Sequence, residues 1–197
     1  MKIFILFFFV IFMTETNAKT LIIGDSIFAL TRDVPNNLEA AGLEFEIRAQ
    51  VGAKIEQIAK QYMMYKEKYG VPSIVIMDGG GNNILRGMLL ECVRGEPKCF
   101  VEVERVAKFS NDFRDQLLED GVEKIILVGI HYFHGWREPL NKIVDYAMDR
   151  IECDDSCAVV DIREPFKEDG LLLFDGIHPN AKGSKIISDL ILLELQE

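Results

Sequence analysis

Short runs of branched apolar residues alternate with longer amphipathic stretches along most of this chain of 197 residues. The runs at 74–77 and 125–128 are apolar at every position, which is typical of strands that are buried on both faces. The alternation predicts an α/β fold in which helices cover both faces of a parallel sheet. The five predicted strands cover residues 20–23, 44–49, 73–77, 124–128 and 158–161.

The stretches between these strands have the periodicity of amphipathic helices. Pro35 and Pro139 suit the first turn of a helix, and Gly42, Gly70 and Gly121 suit helix ends. The sequence shows no internal repeat and no linker, and its length fits one domain. The predicted helices cover residues 35–41, 54–69, 101–119, 139–151 and 182–195.

The first thirteen residues read MKIFILFFFVIFM, and Lys2 is the only charged residue among them. This apolar run is shorter than the roughly 20 residues that cross a membrane, and a polar stretch ending at Ala18 follows it. The pattern predicts a signal peptide over residues 1–18 and an exported domain, periplasmic or extracellular, over residues 19–197. An uncleaved anchor or a buried N-terminal helix is the alternative.

All four cysteines lie in the predicted domain, at Cys92, Cys99, Cys153 and Cys157. An even number of cysteines in an exported protein favours disulfides. Three pairings are possible, and the pairing of sequence neighbours, Cys92 with Cys99 and Cys153 with Cys157, asks least of the fold. A metal site is the alternative, but no histidine stands near either pair at ligand spacing, so we predict no metal.

Acidic residues outnumber basic residues by 32 to 22, which gives a net charge of −10. Residues 1–18 contain one charge of each sign, Lys2 and Glu15, so the acidic excess belongs to the predicted domain. Such a domain repels polyanions, which argues against nucleic acid as its partner.

A serine follows the first predicted strand in the sequence Gly24-Asp25-Ser26. A serine at such a turn is often only the N-cap of the next helix. Near the other end of the chain, Asp175 precedes His178 by three residues. A serine hydroxyl becomes nucleophilic when a neutral imidazole takes its proton and a carboxylate fixes the imidazole tautomer. Ser26, His178 and Asp175 are therefore candidate catalytic residues.

Glycines and asparagines follow the second and third predicted strands, at the sheet edge where Ser26 is expected. Gly52 offers an unobstructed N–H group, and Asn82 and Asn83 carry amides that can donate to an oxyanion. A dinucleotide site does not fit, because G-x-G-x-x-G requires a glycine where Ile84 stands. An ordinary glycine turn is the alternative.

Two predicted connections are long, at residues 83–100 and 131–138, and the second reads HYFHGWRE. Ligands of open α/β sheets bind beyond the carboxyl ends of the strands, so His131, Phe133 and Trp136 are candidate substrate-pocket residues. The alternative is that Phe133 and Trp136 cover the core while His131 and His134 are solvated. A zinc pair at the two histidines lacks a third ligand nearby.

Four separated blocks, in order, resemble the SGNH hydrolases, also called GDSL esterases and lipases. The first block carries the family's nucleophile and matches Ser26, and the second contributes an oxyanion-hole glycine and matches Gly52. The third block, G-x-N-D, matches with Asn82 as the oxyanion donor, but Asn83 replaces the usual aspartate. That departure puts the support of the loop in doubt, and a register shift by one residue would make Asn83 the donor. The last block, D-x-x-H, matches Asp175 and His178.

The resemblance implies a flavodoxin-like three-layer α/β/α sandwich around a five-stranded parallel sheet. It implies a serine esterase in which Ser26 attacks a carboxylic ester, His178 takes the proton and Asp175 orients the ring, without metal or cofactor. The N–H groups of Ser26 and Gly52 and the Asn82 amide would bind the oxyanion. Lysophospholipids, short-chain acyl esters and acetylated sugars are possible substrates, and the acidic domain favours neutral or zwitterionic esters.

Two alternatives to ester hydrolysis remain open from the sequence. The same acyl-enzyme would serve an acyltransferase or deacetylase that acts on glycans. A catalytically silent carbohydrate-binding domain could keep the same fold. The oligomeric state is not predicted.

Overall fold

The computed structural model describes residues 20–196, so the predicted signal peptide at 1–18 lies outside the described residues. Its five strands form one parallel sheet in the order β2-β1-β3-β4-β5. This arrangement confirms the predicted α/β sandwich. The strands are β1 (Thr20–Ile23), β2 (Phe45–Ile47), β3 (Ile74–Met77), β4 (Lys124–Val128) and β5 (Cys157–Val160).

Eight α-helices and two short 3₁₀ helices lie within residues 20–196. The 3₁₀ helices are Gly135–Leu140 and Pro165–Lys167. The α-helices are α1 (Ser26–Ala29), α2 (Asp33–Ala40), α3 (Ile55–Tyr69), α4 (Gly81–Leu85), α5 (Leu89–Val93), α6 (Pro97–Asp120), α7 (Asn141–Met148) and α8 (Ala181–Glu194).

Alternate residues of the central strands bury their side chains in opposite layers of the sandwich. Ile22, Ile76 and Ile126 pack with α2 and α8 on one face of the sheet. Their neighbours in the strands pack with α3 and α6 on the other face. Because a strand buried on both faces needs apolar residues at every position, this packing explains the continuous apolar runs of β3 and β4.

The observed elements differ from the predicted ones mainly between β3 and β4. The predicted connection 83–100 contains α5 and parts of α4 and α6, because helices of about one turn are too short to show a helical period. The predicted helix 139–151 is divided, and Pro139 lies in the 3₁₀ helix that precedes α7. β2 is shorter than predicted, since it is an edge strand that pairs only with β1.

Each cysteine pairs with the cysteine nearest to it in the sequence, which confirms the predicted local pairing. The Cys92–Cys99 bridge joins α5 to the first turn of α6, and both cysteines are buried. The Cys153–Cys157 bridge closes the exposed turn that leads into β5. Within residues 20–196, no helix is long and apolar enough to cross a membrane.

Candidate active site

Ser26 stands at the first position of α1, directly beyond the carboxyl end of β1. Asp25 is the N-cap of this helix, because its Oδ1 accepts a hydrogen bond from the Ile27 N–H at 3.0 Å. The hydroxyl of Ser26 is therefore not used as the cap. Gly24 permits the turn, because its φ is +152° and a Cβ there would lie 2.0 Å from Oδ1 of Asp78.

The loop before α8 brings Asp175 and His178 to Ser26. Oδ1 of Asp175 accepts hydrogen bonds from the N–H groups of Ile177 at 2.9 Å and His178 at 3.0 Å. Oδ2 of Asp175 lies 2.6 Å from Nδ1 of His178, and Nε2 of His178 lies 2.9 Å from Oγ of Ser26. The three catalytic candidates thus form a continuous hydrogen-bonded chain.

The carboxyl of Asp175 is held ionised by this loop. Burial alone would raise its pKa, but the hydrogen bonds from the His178 ring and from two backbone N–H groups outweigh burial and lower the pKa to about 2. The charged carboxylate accepts the Nδ1 proton of His178, which leaves Nε2 with the lone pair that faces the Ser26 hydroxyl.

Asn82 and Asn83, the two candidate oxyanion donors, face different parts of the structure. Asn82 Nδ2 donates to Oδ2 of Asp25 at 2.7 Å, and Asn82 lines the cavity beside Ser26. Asn83 instead accepts the N–H of Ile55, the first residue of α3, at 3.0 Å. Its amide also donates to Glu56 at 3.4 Å. Asn83 therefore connects the loop after β3 to the first turn of α3.

Gly52 lies in the turn that follows β2 and has a φ of +77°. Its carbonyl accepts a hydrogen bond from Arg86 at 3.3 Å, and a Cβ on Gly52 would lie 2.1 Å from the same guanidinium. Gly52 is at the same sheet edge as Ser26 but does not line the cavity around it.

Three buried polar residues near Ser26 were missed by the sequence analysis. Gln61 on α3 binds both the N–H and the carbonyl of Gly24, at 2.8 and 2.9 Å. Oδ1 of Asp78 accepts the Asp25 N–H at 2.7 Å, and Asp25 orients Asn82 as described above. The signal for Gln61 was available, because it is a polar residue within the apolar stripe of an amphipathic helix.

Asp78 is almost completely buried next to another carboxylate. Burial first, and then the charge of Asp25, raises the pKa of Asp78 well above its ordinary range. Oδ2 of Asp78 has no hydrogen-bond partner among the described residues. A protonated Asp78 explains how the two carboxyl groups lie together under the Ser26 turn.

The candidate pocket residues separate into two groups. His131 and Phe133 are buried and line the cavity beside Ser26. Trp136 lies outside that cavity, with its side chain largely exposed and Arg137 stacked on its ring. His134 binds the Phe166 carbonyl at 2.9 Å through Nε2, so it serves the backbone rather than the site.

His131 connects the loop after β4 to the loop that carries His178. Its Nε2 lies 2.7 Å from the carbonyl oxygen of Ile177, and its Nδ1 lies 2.8 Å from the carbonyl oxygen of Tyr132. The ring also stacks on Phe166 at 5.0 Å. Burial lowers the pKa of His131 and outweighs the two carbonyl contacts, which act in the opposite direction. The contact with Ile177 holds the ring against the peptide immediately before His178.

Within residues 20–196, no group of three or more potential metal ligands is close enough to hold an ion. The site contains a serine hydroxyl hydrogen-bonded to an imidazole, and a carboxylate whose pKa is lowered to about 2 on the far side of the ring. This set is suited to acyl transfer through a serine.

Known proteins provide an independent comparison. The family model for GDSL-like Lipase/Acylhydrolase matches residues 21–191. A lipase, Lip_vut3 from a goat rumen metagenome, is 16% identical with a TM-score of 0.68, over 89% of this chain and 96% of that one. No curated protein sequence matches the chain.

Two solved acetylxylan esterases share the fold. A catalytic mutant of Axe2 from Geobacillus stearothermophilus is 18% identical with a TM-score of 0.67, over 92% of this chain and 95% of that one. The acetyl xylan esterase AlAXEase is 17% identical with a TM-score of 0.61, over 90% and 99%. The family match covers nearly all of the described chain. This chain therefore belongs to the GDSL-like lipase/acylhydrolase family and is an ester-hydrolysing enzyme.

Proposed function

We propose that the chain hydrolyses carboxylic esters through an acyl-enzyme on Ser26. The observation that carries this proposal is the hydrogen-bonded chain from Oγ of Ser26 through His178 to Asp175, with distances of 2.9 and 2.6 Å. His178 takes the hydroxyl proton as Oγ attacks the ester carbonyl and then gives that proton to the departing alcohol. Water, deprotonated by the same imidazole, releases the acid and restores Ser26.

The negative charge of the tetrahedral intermediate requires donors on the side opposite His178. Ser26 is the first residue of α1, so its N–H has no partner within the helix. The Asn82 amide uses one hydrogen on Asp25 and keeps the other for the oxyanion. The Gly52 N–H is the third proposed donor.

Ser26→Ala is the direct test of this mechanism. We expect the variant to lose at least about a thousandfold in turnover of p-nitrophenyl esters and to lose labelling by a fluorophosphonate probe. Ser73→Ala is the matched control, because Ser73 lies just before β3 at the opposite edge of the sheet. Equal turnover by wild type and Ser26→Ala would contradict the mechanism.

The acceptor of the acyl group separates hydrolysis from the alternative, transfer to a glycan. We propose water as the acceptor. Product analysis with and without an acceptor glycan tests this, because transfer would yield acylated glycan in excess of free acid. Glycan binding without fluorophosphonate labelling of Ser26 would instead indicate a silent carbohydrate-binding domain.

We also propose that the protein is exported after cleavage behind Ala18. The two disulfides support this proposal, because such bonds persist in oxidising compartments. Expression of the full chain with a secretion-competent host, followed by N-terminal sequencing of the exported protein, tests it. The expected first residue is Lys19.

A further inference from the structure

A cavity of about 330 Å³ opens directly beside Ser26. Ser26, Asn82 and His178 line it at the carboxyl edge of the sheet. From there its lining continues along α6 and α7 and over the end of β4 at Val128 and Gly129. The cavity therefore begins where the acyl carbon would be attached and extends between two helices.

One face of α6 forms the first long wall. Val103, Val106, Ala107 and Ser110 line the cavity, and their spacing of three, four and seven residues places them on the same side of the helix. α6 leads into β4, so it runs inward from the carboxyl edge, and Ser110 lies deeper than Val103. The distance between them along the helix is about 10 Å.

The second wall is the facing side of α7 and the residue that precedes it. Leu140, Ile143, Val144, Ala147 and Met148 line the cavity, and α7 also runs inward because it follows β4. These side chains are all apolar. With the α6 wall they enclose a channel with apolar walls. Contact of these walls with a hydrocarbon chain is more favourable than contact with water.

Apart from Ser110, the polar side chains that line the cavity are concentrated at its mouth, and most of them already have partners. Asp25 binds Asn82, and both ring nitrogens of His131 face backbone carbonyls. Along the inner walls, Ser110 is the one side chain with a hydroxyl among the lining residues described. A sugar would leave its hydroxyl groups unpaired here, which makes a saccharide a poor occupant.

We propose that this cavity is the acyl-binding site and that the preferred substrates are esters of medium-chain fatty acids, with acyl chains of about eight to ten carbons. The proposal rests on the proposed function, because the chain must be attached at Ser26. The length is an order-of-magnitude inference from the volume, since 330 Å³ is about eleven times the roughly 30 Å³ that one water molecule occupies in the liquid, and a methylene group is of similar size. An acetyl group would fill only a small part of it.

The chain-length profile of the wild type is the first test. Each methylene buried in the cavity should raise kcat/KM by up to roughly fourfold. We therefore expect p-nitrophenyl octanoate to exceed p-nitrophenyl acetate by at least about 100-fold, with a decline beyond about twelve carbons. A profile that is highest for the acetyl ester and falls with chain length would overturn the proposal.

Ala107→Leu tests the site directly by filling the α6 wall. The three added carbons should move the preferred acyl chain about three carbons shorter. Ala40→Leu is the matched control, because Ala40 is exposed at the end of α2, on the opposite face of the sheet. An Ala107→Leu profile identical to that of the wild type would overturn the proposal.

The melting temperature reports whether a variant is folded. If Ala107→Leu does not fold, Ser110→Leu makes the same test one turn deeper, with the same expected shortening. Fluorophosphonate labelling distinguishes the two proposals. If Ser26 of the wild type is labelled but the acetyl ester is preferred, the acyl-site proposal is overturned and the proposed function stands. If the wild type is neither labelled nor active, both proposals are overturned.

Discussion

Asn82 and Asn83 are adjacent asparagines with different tasks. The amide of Asn82 points to Asp25 and the cavity, whereas Asn83 caps the start of α3 through its Oδ1. An aspartate at either position keeps the side-chain shape but removes the donating amide. The two substitutions therefore separate oxyanion binding from support of the loop.

We predict that Asn82→Asp lowers kcat by about 10²–10³, because a donor to the oxyanion becomes a second carboxylate beside Asp25. Asn83→Asp should retain activity within a few-fold, because a carboxylate still accepts the Ile55 N–H. Asn83→Asp loses the hydrogen bond that the Asn83 amide donates to Glu56 and places two carboxylates together. A second substitution, Glu56→Gln, should remove this repulsion. Steady-state kinetics on one ester measure both effects, and equal losses in the two variants would contradict the assignment.

Asp78 is predicted to make stability depend on pH in the opposite sense from an ordinary paired carboxylate. Its pKa is raised in the folded protein, first by burial and then by Asp25. The unfolded chain releases this proton near pH 3.9, and the folded chain releases it only at higher pH. The contribution of Asp78 to stability is thus greatest at low pH and is lost as the pH rises above about 4.

Asp78→Asn should therefore stabilise the protein at pH 8. The amide oxygen can still accept the Asp25 N–H, and no proton has to be retained. We expect a melting temperature higher by about 2 °C or more at pH 8, with a smaller gain at pH 5. Asp112→Asn, an exposed aspartate paired with Lys108, should show no such pH-dependent gain. A gain that grows towards acid pH would show that the sign is wrong.

The catalytic candidates could be predicted from sequence because each lies in a short contiguous motif at a strand end. Gly24, Asp25 and Ser26 form one motif, and Asp175 and His178 form another. The structural role of Asp78 could not be predicted in the same way. Its behaviour depends on burial against Asp25, which is distant in sequence, and nothing local to either aspartate indicates that contact.

Helices and strands also divide into those that a local pattern predicts and those that depend on contacts distant in the sequence. β3 and β4 were predicted to within one residue because continuous apolar runs mark buried strands. The sequence predicts a connection where α5 and the first turn of α6 lie, because helices this short form through tertiary packing and leave no helical period in the sequence. The sequence does not distinguish the 3₁₀ helix before α7, because a proline such as Pro139 also suits the first turn of an α-helix.

The Cys92–Cys99 bridge is expected to stabilise more than the other disulfide. Both sulfurs are buried in a cluster that includes Val103 and Ile143, which also line the acyl cavity. A double Cys→Ala variant at 92 and 99 should lose about 2–3 kcal/mol, or roughly 5–10 °C in melting temperature. The same change at 153 and 157, in an exposed turn, should cost less.

Thermal unfolding of the two double variants measures this difference. Because the buried cluster lies beside the acyl site, loss of the Cys92–Cys99 bridge should also reduce turnover of the octanoyl ester more than that of the acetyl ester. If the Cys153–Cys157 variant is the less stable of the two, burial is not what determines the contribution of each bridge.

Over the whole molecule, the net charge of −10 is expected to act on the choice of leaving group rather than on the acyl chain. The inner walls of the proposed acyl cavity are apolar, whereas the alcohol portion of the ester would leave through its mouth, where the charged residues lie. An anionic leaving group approaches an acidic domain and is repelled over a distance set by the Debye length. Neutral and zwitterionic esters do not experience this net repulsion.

Arg86 places a positive charge near Ser26, within a domain whose net charge is negative. It lines the cavity beside Ser26 and binds the Gly52 carbonyl. Its positive charge should partly offset the repulsion of an anionic ester. Arg86→Gln should therefore increase the discrimination against anionic leaving groups.

We predict that kcat/KM for an anionic octanoyl ester rises several-fold relative to that for a neutral octanoyl ester as salt increases from about 0.01 M to about 1 M. The Debye length falls from roughly 30 Å to roughly 3 Å over this range, which removes the long-range field but preserves direct contacts. In Arg86→Gln the rise should be larger. A ratio independent of salt in both proteins would mean that local contacts at the cavity mouth, and not the acidic domain, determine which leaving groups are accepted.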